Sequence, residues 1–162
     1  MIRGAWSRLV LAGLATAIAD GLFSSVLSVA FYGSTVTRLF QGVASTLLGK
    51  AAFEGGAKTA LIGVLMHFGV AFAWSAVFLL LVMRSAEIRR VLNSRAGVLK
   101  VAAVYGPLIW MTMSLIVIPV LLHRPPMITI RWWIQFFGHM VFVGLPIVAS
   151  IAGGVRPAKS SV

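Results

Sequence analysis

The sequence predicts an all-α polytopic membrane protein with four transmembrane helices plus one interfacial or re-entrant helix. Three observations carry this. Hydrophobic residues make up 60% of the chain and charged residues only 10%, far from the roughly 45–50% apolar and about 25% charged mix of soluble domains. Four apolar runs are each long enough to cross the roughly 30 Å hydrocarbon core at about 1.5 Å per residue. These runs use most of the 162 residues, so 1–162 reads as a single transmembrane domain without a soluble module.

The first run, about 9–31, follows Arg3 and Arg8 and imitates a secretory leader, with Ala17-Ile18-Ala19 in the small-x-small pattern a peptidase cuts. It continues past Asp20 to Phe31, too long for a leader's apolar region, and reads as an uncleaved span. Gly13, Ala17, Gly21 and Ser25 recur every fourth position, a stripe that lets another helix approach closely. Asp20 flanks the stripe and so faces protein. A mid-span carboxylate costs about 2.5–3.5 kcal/mol on insertion scales, which makes Asp20 a functional candidate against the plainer reading of a protonated packing residue.

From about 35 to 53, Val36, Leu39, Phe40, Val43 and Leu47 share one helical face, with Thr35, Thr37, Arg38, Gln41, Ser45 and Thr46 largely elsewhere. This predicts the interfacial helix, apolar face on the bilayer, anchoring a loop in preference to capping a cavity. Gly55 and Gly56 end it. The second span, about 59–83, places Gly63, His67, Val70, Ala71 and Trp74 on one face, so His67 points into the bundle. An arginine-rich connection turns at Asn93-Ser94. The third span, about 98–122, should kink near Gly106-Pro107 and again near Pro119. After an extended His123-Arg124-Pro125-Pro126 turn, the fourth span, about 132–155, bends at Pro146. Gln135 and His139 share a face there, and Trp132 and Trp133 are expected at headgroup level.

The net charge of +11, from 14 basic against 3 acidic residues, would suggest nucleic acid in a soluble protein. Here the charges flank apolar runs, where they meet lipid headgroups instead. Nine basic residues lie on one side (Arg3, Arg8, Arg84, Arg89, Arg90, Arg95, Lys100, Arg156, Lys159) and five on the other (Arg38, Lys50, Lys58, Arg124, Arg131), which predicts cytoplasmic N and C termini. The absence of cysteine excludes disulfides, thiolate metal sites and thiol nucleophiles.

Asp20, His67, Gln135 and His139 form the candidate intramembrane cluster, with His67 and His139 expected at similar depth. Two readings of chemistry follow. A pair of histidines on neighbouring helices can ligate a b-type haem, with Gly63, Gly69, Gly138 and Gly144 giving a slot for the ring. The same cluster, reached from the outer side, can carry a proton or bind a cation, for which histidine's unperturbed pKa of about 6.5 is suited; with one acid within the spans and no inverted repeat or pair of interrupted helices, the sequence argues against a pump and leaves a channel-like or sensing role open. Enzyme readings lack support: no GxSxG, HExxH, GxGxxG or P-loop is present, and Glu54 and Glu87 lie beyond opposite ends of the second span.

Three segments carry a resemblance: HFGVAFAWSAVF in span two, the Pro107 to Pro119 stretch with Arg124-Pro125-Pro126, and FFGHMVF in span four. Over about 60–148 the chain resembles the YagU-like family of bacterial inner-membrane proteins. The resemblance implies a bacterial inner-membrane location and buried histidines, and it implies no activity. The segment QGVASTLLGKAAFEGG departs from the family pattern. The expected function is a non-enzymatic accessory or scaffolding subunit, whose partners are the lipid bilayer and other membrane subunits or copies of itself. The alternatives are a small channel or proton-responsive transporter using the Asp/His cluster, and a haem b-binding subunit using His67 and His139.

Overall fold

The computed structural model describes Ile2 and residues 4–155, and every regular element among them is helical. Arg3, Arg156 and Lys159, which enter the charge bias, lie outside the described residues. Four helices are long and apolar enough to cross a membrane: α1 (Ala5–Phe31), α3 (Gly56–Arg84), α5 (Arg95–Leu122) and α6 (Ile130–Val155). They extend the predicted spans by at most four residues at any end. Two shorter helices connect them, α2 (Val36–Leu48) and α4 (Ala86–Leu92). The turn at Asn93-Ser94 is present, and α4 is an additional element before it. Consecutive spans run antiparallel, with α1 against α3 and α6 and with α5 against α6.

Glycine sets the closest approaches. A Cβ on Gly106 would meet the His139 backbone, and one on Gly144 would meet the Ala102 carbonyl. Ala102 and Gly106 are one α-turn apart on α5, whereas their partners His139 and Gly144 are five residues apart on α6. The π turn Met140–Gly144 supplies that extra residue and keeps both contacts in register. A second π turn, Met113–Val117, lies in α5. Each ends two residues before a proline, Pro119 and Pro146. Proline has no N–H and its ring collides with the carbonyl four residues back, here Leu115 and Phe142 at the centre of each turn, so the wider turn relieves the clash. Pro107 lies within regular α-helix.

At the α4 end, Ser85 caps α4 by accepting from Ile88 N, and Arg89 Nη1 donates to Val82 O at 2.7 Å and Met83 O at 2.8 Å. A side chain thereby satisfies the last carbonyls of α3. Beneath this cap Phe78, Val82, Ile147, Val148 and Ile151 form a closed apolar core. Tyr105 Oη donates to Trp74 O at 2.8 Å, and Arg8 Nη1 donates to Ser150 O at 3.3 Å, tying α5 to α3 and α1 to α6.

On α2 the small and polar residues turn inward and part of the apolar face is left uncovered by protein. Gln41, Ala44 and Ser45 are its buried residues, while Leu47 is 71% exposed and Val36 is also exposed. The helix packs on α3 through small and polar side chains: a Cβ on Gly63 would strike the Phe40 backbone, and Gln41 Nε2 donates to Gly56 O at 3.1 Å. In lipid the apolar face needs no burial, so close packing falls to small residues.

Candidate functional site

Above the apolar core, towards the α2 end, the four spans enclose a cavity of about 290 Å³. Asp20, His67, Gln135 and His139 all line it, so the structure brings the four candidates from α1, α3 and α6 to one space. Asp20 Oδ2 and His67 Nδ1 are 4.0 Å apart, an ion-pair separation beyond direct hydrogen-bond reach. Leu39, Phe40 and Val43 of α2 form part of the wall, so α2 covers the cavity.

Backbone contacts fix how the histidines present themselves. His67 Nε2 lies 3.0 Å from Ala17 O, and His139 Nδ1 lies 2.8 Å from Gln135 O. A carbonyl only accepts, so each of those nitrogens carries the hydrogen and donates. The neutral rings then keep a lone pair on His67 Nδ1, facing Asp20, and on His139 Nε2. His67 Nδ1 and Asp20 Oδ2 stand at ion-pair distance when the ring carries a second hydrogen. His139 lies within electrostatic reach of both Asp20 and His67.

The site contains residues that the cluster reading missed. Thr16, Asp20, Ser24 and Ser28 on α1, and Tyr32 just past its end, recur every fourth position beside the small-residue stripe, and all five line this cavity or the next. That polar periodicity was present in the sequence as a signal. The adjoining cavity, about 420 Å³, shares Ser24, Trp110 and Gln135 with the first and extends to Met127, Thr129 and Arg131 at the α2 end. Together they make a polar track that descends α1 and stops at Thr16 and the apolar core. Trp132, expected at headgroup level with Trp133, turns inward as the wall of this track. Its Nε1 donates to Ser114 Oγ at 2.9 Å, and its carbonyl accepts from Trp110 Nε1 at 3.1 Å. Trp133 is exposed.

Four buried side-chain oxygens on residues of the two cavities have no hydrogen-bond partner: Thr16 Oγ1, Asp20 Oδ1 and Gln135 Oε1 in the first, and Tyr32 Oη in the second. Gln135 Nε2 reaches Ser24 Oγ at 3.4 Å, which leaves its oxygen as the free acceptor. The glycines considered for a haem slot are occupied otherwise. Gly63 meets α2, Gly138 meets the Phe23 ring, Gly144 meets α5, and Gly69 faces outward with no neighbour. Among the described residues, no three His, Asp or Glu side chains converge in a way that could hold a metal ion. Comparison of the chain with protein-family models, with curated proteins and with solved structures finds no match.

Proposed function

We propose that the chain is a small proton-responsive transporter whose binding cavity lies towards the α2 end of the bundle. The observation that carries this reading is the polar track on α1 that leads from the α2 end to the Asp20–His67 pair and ends on a closed core. Access from a single side to a mid-span protonatable site is the arrangement that alternating access requires. A continuous channel would need the apolar seal at Phe78, Val82 and Ile151 to part. The haem alternative is disfavoured because His67 Nε2, the nitrogen expected to ligate, already donates to Ala17 O. The accessory-subunit expectation has no distinct docking patch in its support, since exposed apolar residues are spread over all four spans as a lipid contact would have them.

The same reading places the protein in a bacterial inner membrane with both termini cytoplasmic, the α2 end outside and α2 lying at the outer interface. It rests on the nine-to-five basic bias and on the YagU-like resemblance, which we carry forward as a proposal of kinship.

The chain has only three acids, and Glu54 and Glu87 are both exposed. Infrared difference spectra between acidic and alkaline buffer are therefore simple to assign. A protonated-carboxyl band that disappears in Asp20→Asn and shifts in His67→Gln is the expected result. A band set untouched by Asp20→Asn would overturn the proton site.

A further inference from the structure

Resting on that reading of the cavity as a binding site, we infer that its ligand is a primary ammonium on a compact apolar body. The first argument is a count of donors and acceptors. Asp20 Oδ1 and Gln135 Oε1 are buried acceptors without a donor, and Thr16 Oγ1, which can also accept, has no partner. Backbone hydrogen bonds turn the lone pairs of His67 Nδ1 and His139 Nε2 away from the main chain. Both indole donors are engaged, Trp110 Nε1 on Trp132 O and Trp132 Nε1 on Ser114, and one N–H of Gln135 is spent on Ser24, so the remaining donors, the second Gln135 N–H and the Thr16 and Ser24 hydroxyls, are fewer than the lone pairs of Asp20, Gln135, His67 and His139. A site with surplus acceptors is complemented by a group that only donates, and a primary ammonium brings three N–H donors and no acceptor.

Charge gives the second argument. Among the described residues Asp20 is the one acid lining the cavity, and a cationic ligand supplies the counter-charge that a buried carboxylate needs.

The remaining walls fix the rest of the ligand. Phe40, Val70, Trp74, Trp110, Met113 and Val143 surround the polar cluster with apolar surface, and the aromatic faces among them attract a cation. Arg131 stands at the mouth with its guanidinium 4.1 Å from the Tyr32 ring centroid. Tyr32 is twelve residues above Asp20, about 18 Å along the helix, and at that distance water and salt in the track screen its repulsion.

The test uses the full chain in detergent and titrates 2-phenylethylammonium calorimetrically. Its comparators are 2-phenylethanol, the N,N,N-trimethyl analogue and ammonium chloride. The inference expects the primary ammonium to bind at least about tenfold tighter than each comparator, since tenfold corresponds to a single good charge-assisted contact. Equal binding of the alcohol would overturn the charge argument, equal binding of the trimethyl analogue the donor count, and equal binding of ammonium chloride the apolar body. Asp20→Asn should lose the binding. Ile118→Trp, which fills the junction of the two cavities, should lose the binding but keep the Asp20 infrared band. Should none of the four ligands bind while that band persists, the inference fails and the proton-site reading stands. If the band is absent as well, the reading itself fails.

Discussion

Gly106→Leu should leave no folded, monodisperse protein to purify. A Cβ at this position would lie 2.6 Å from the His139 carbonyl carbon and 3.0 Å from Met140 N, so the obstruction is backbone and cannot rotate away. Overpacking where side chains can yield costs about 1–3 kcal/mol, and here α5 and α6 must separate, which also breaks the Ala102–Gly144 contact one turn away. A cost beyond that range removes a large part of the roughly 5–15 kcal/mol that holds a domain together. Gly69→Leu is the matched control, because nothing lies within 4 Å of its Cβ position, and it should elute and melt like the parent. If Gly106→Leu behaves like Gly69→Leu, the α5–α6 contact has been misassigned.

His67→Phe should destabilise the protein by about 2–3 kcal/mol, whereas Asp20→Asn should change stability by less than about 1 kcal/mol. Removing one partner of a buried ion pair is costly because it strands the other charge, by about 3–5 kcal/mol when burial is complete. The side chains of His67 and Asp20 retain 17% and 15% exposure, so the lower figure applies. Phenylalanine would leave both Asp20 oxygens without a partner, Oδ1 having none already. The amide introduced by Asp20→Asn would lack the charge, and His67 would stay neutral with its bond to Ala17 O intact. Unfolding in mixed micelles measures both variants, and the reverse order of losses would mean that His67 is not the partner on which Asp20 depends.

The spans and the Asp20–His67 encounter were legible because lipid makes both signals strong. An apolar run must be long to cross, and a lone polar residue within it must turn inward. The inward faces of α2 and of α6 at Trp132 were not legible from hydrophobicity, because apolar side chains gain little by leaving lipid for protein. Gln41, Ala44 and Ser45 therefore went inward while Leu47 stayed out, and Trp132 followed its hydrogen bonds to Ser114 and Trp110. Pro119 and Pro146 announced local distortion, but only the two-point contact between α5 and α6 gives the reason why the distortion at Pro146 is a π turn of one added residue. The Thr16-to-Tyr32 polar period was readable and was obscured by the adjacent stripe of small residues on the same helix.

The chain contains no cysteine, so single substitutions report accessibility without background. Ser24→Cys and Ser28→Cys lie on the track, and Ser75→Cys lies in the sealed core where Ser75 is fully buried. In intact cells, a membrane-impermeant maleimide added from outside should label Ser24→Cys and Ser28→Cys and leave Ser75→Cys unmodified, with labelling at Ser24→Cys slowed by 2-phenylethylammonium. Labelling of Ser75→Cys with Ser24→Cys and Ser28→Cys inert, or labelling of the track only from the cytoplasmic side of inverted vesicles, would contradict an outward-open cavity ending on Asp20 and His67.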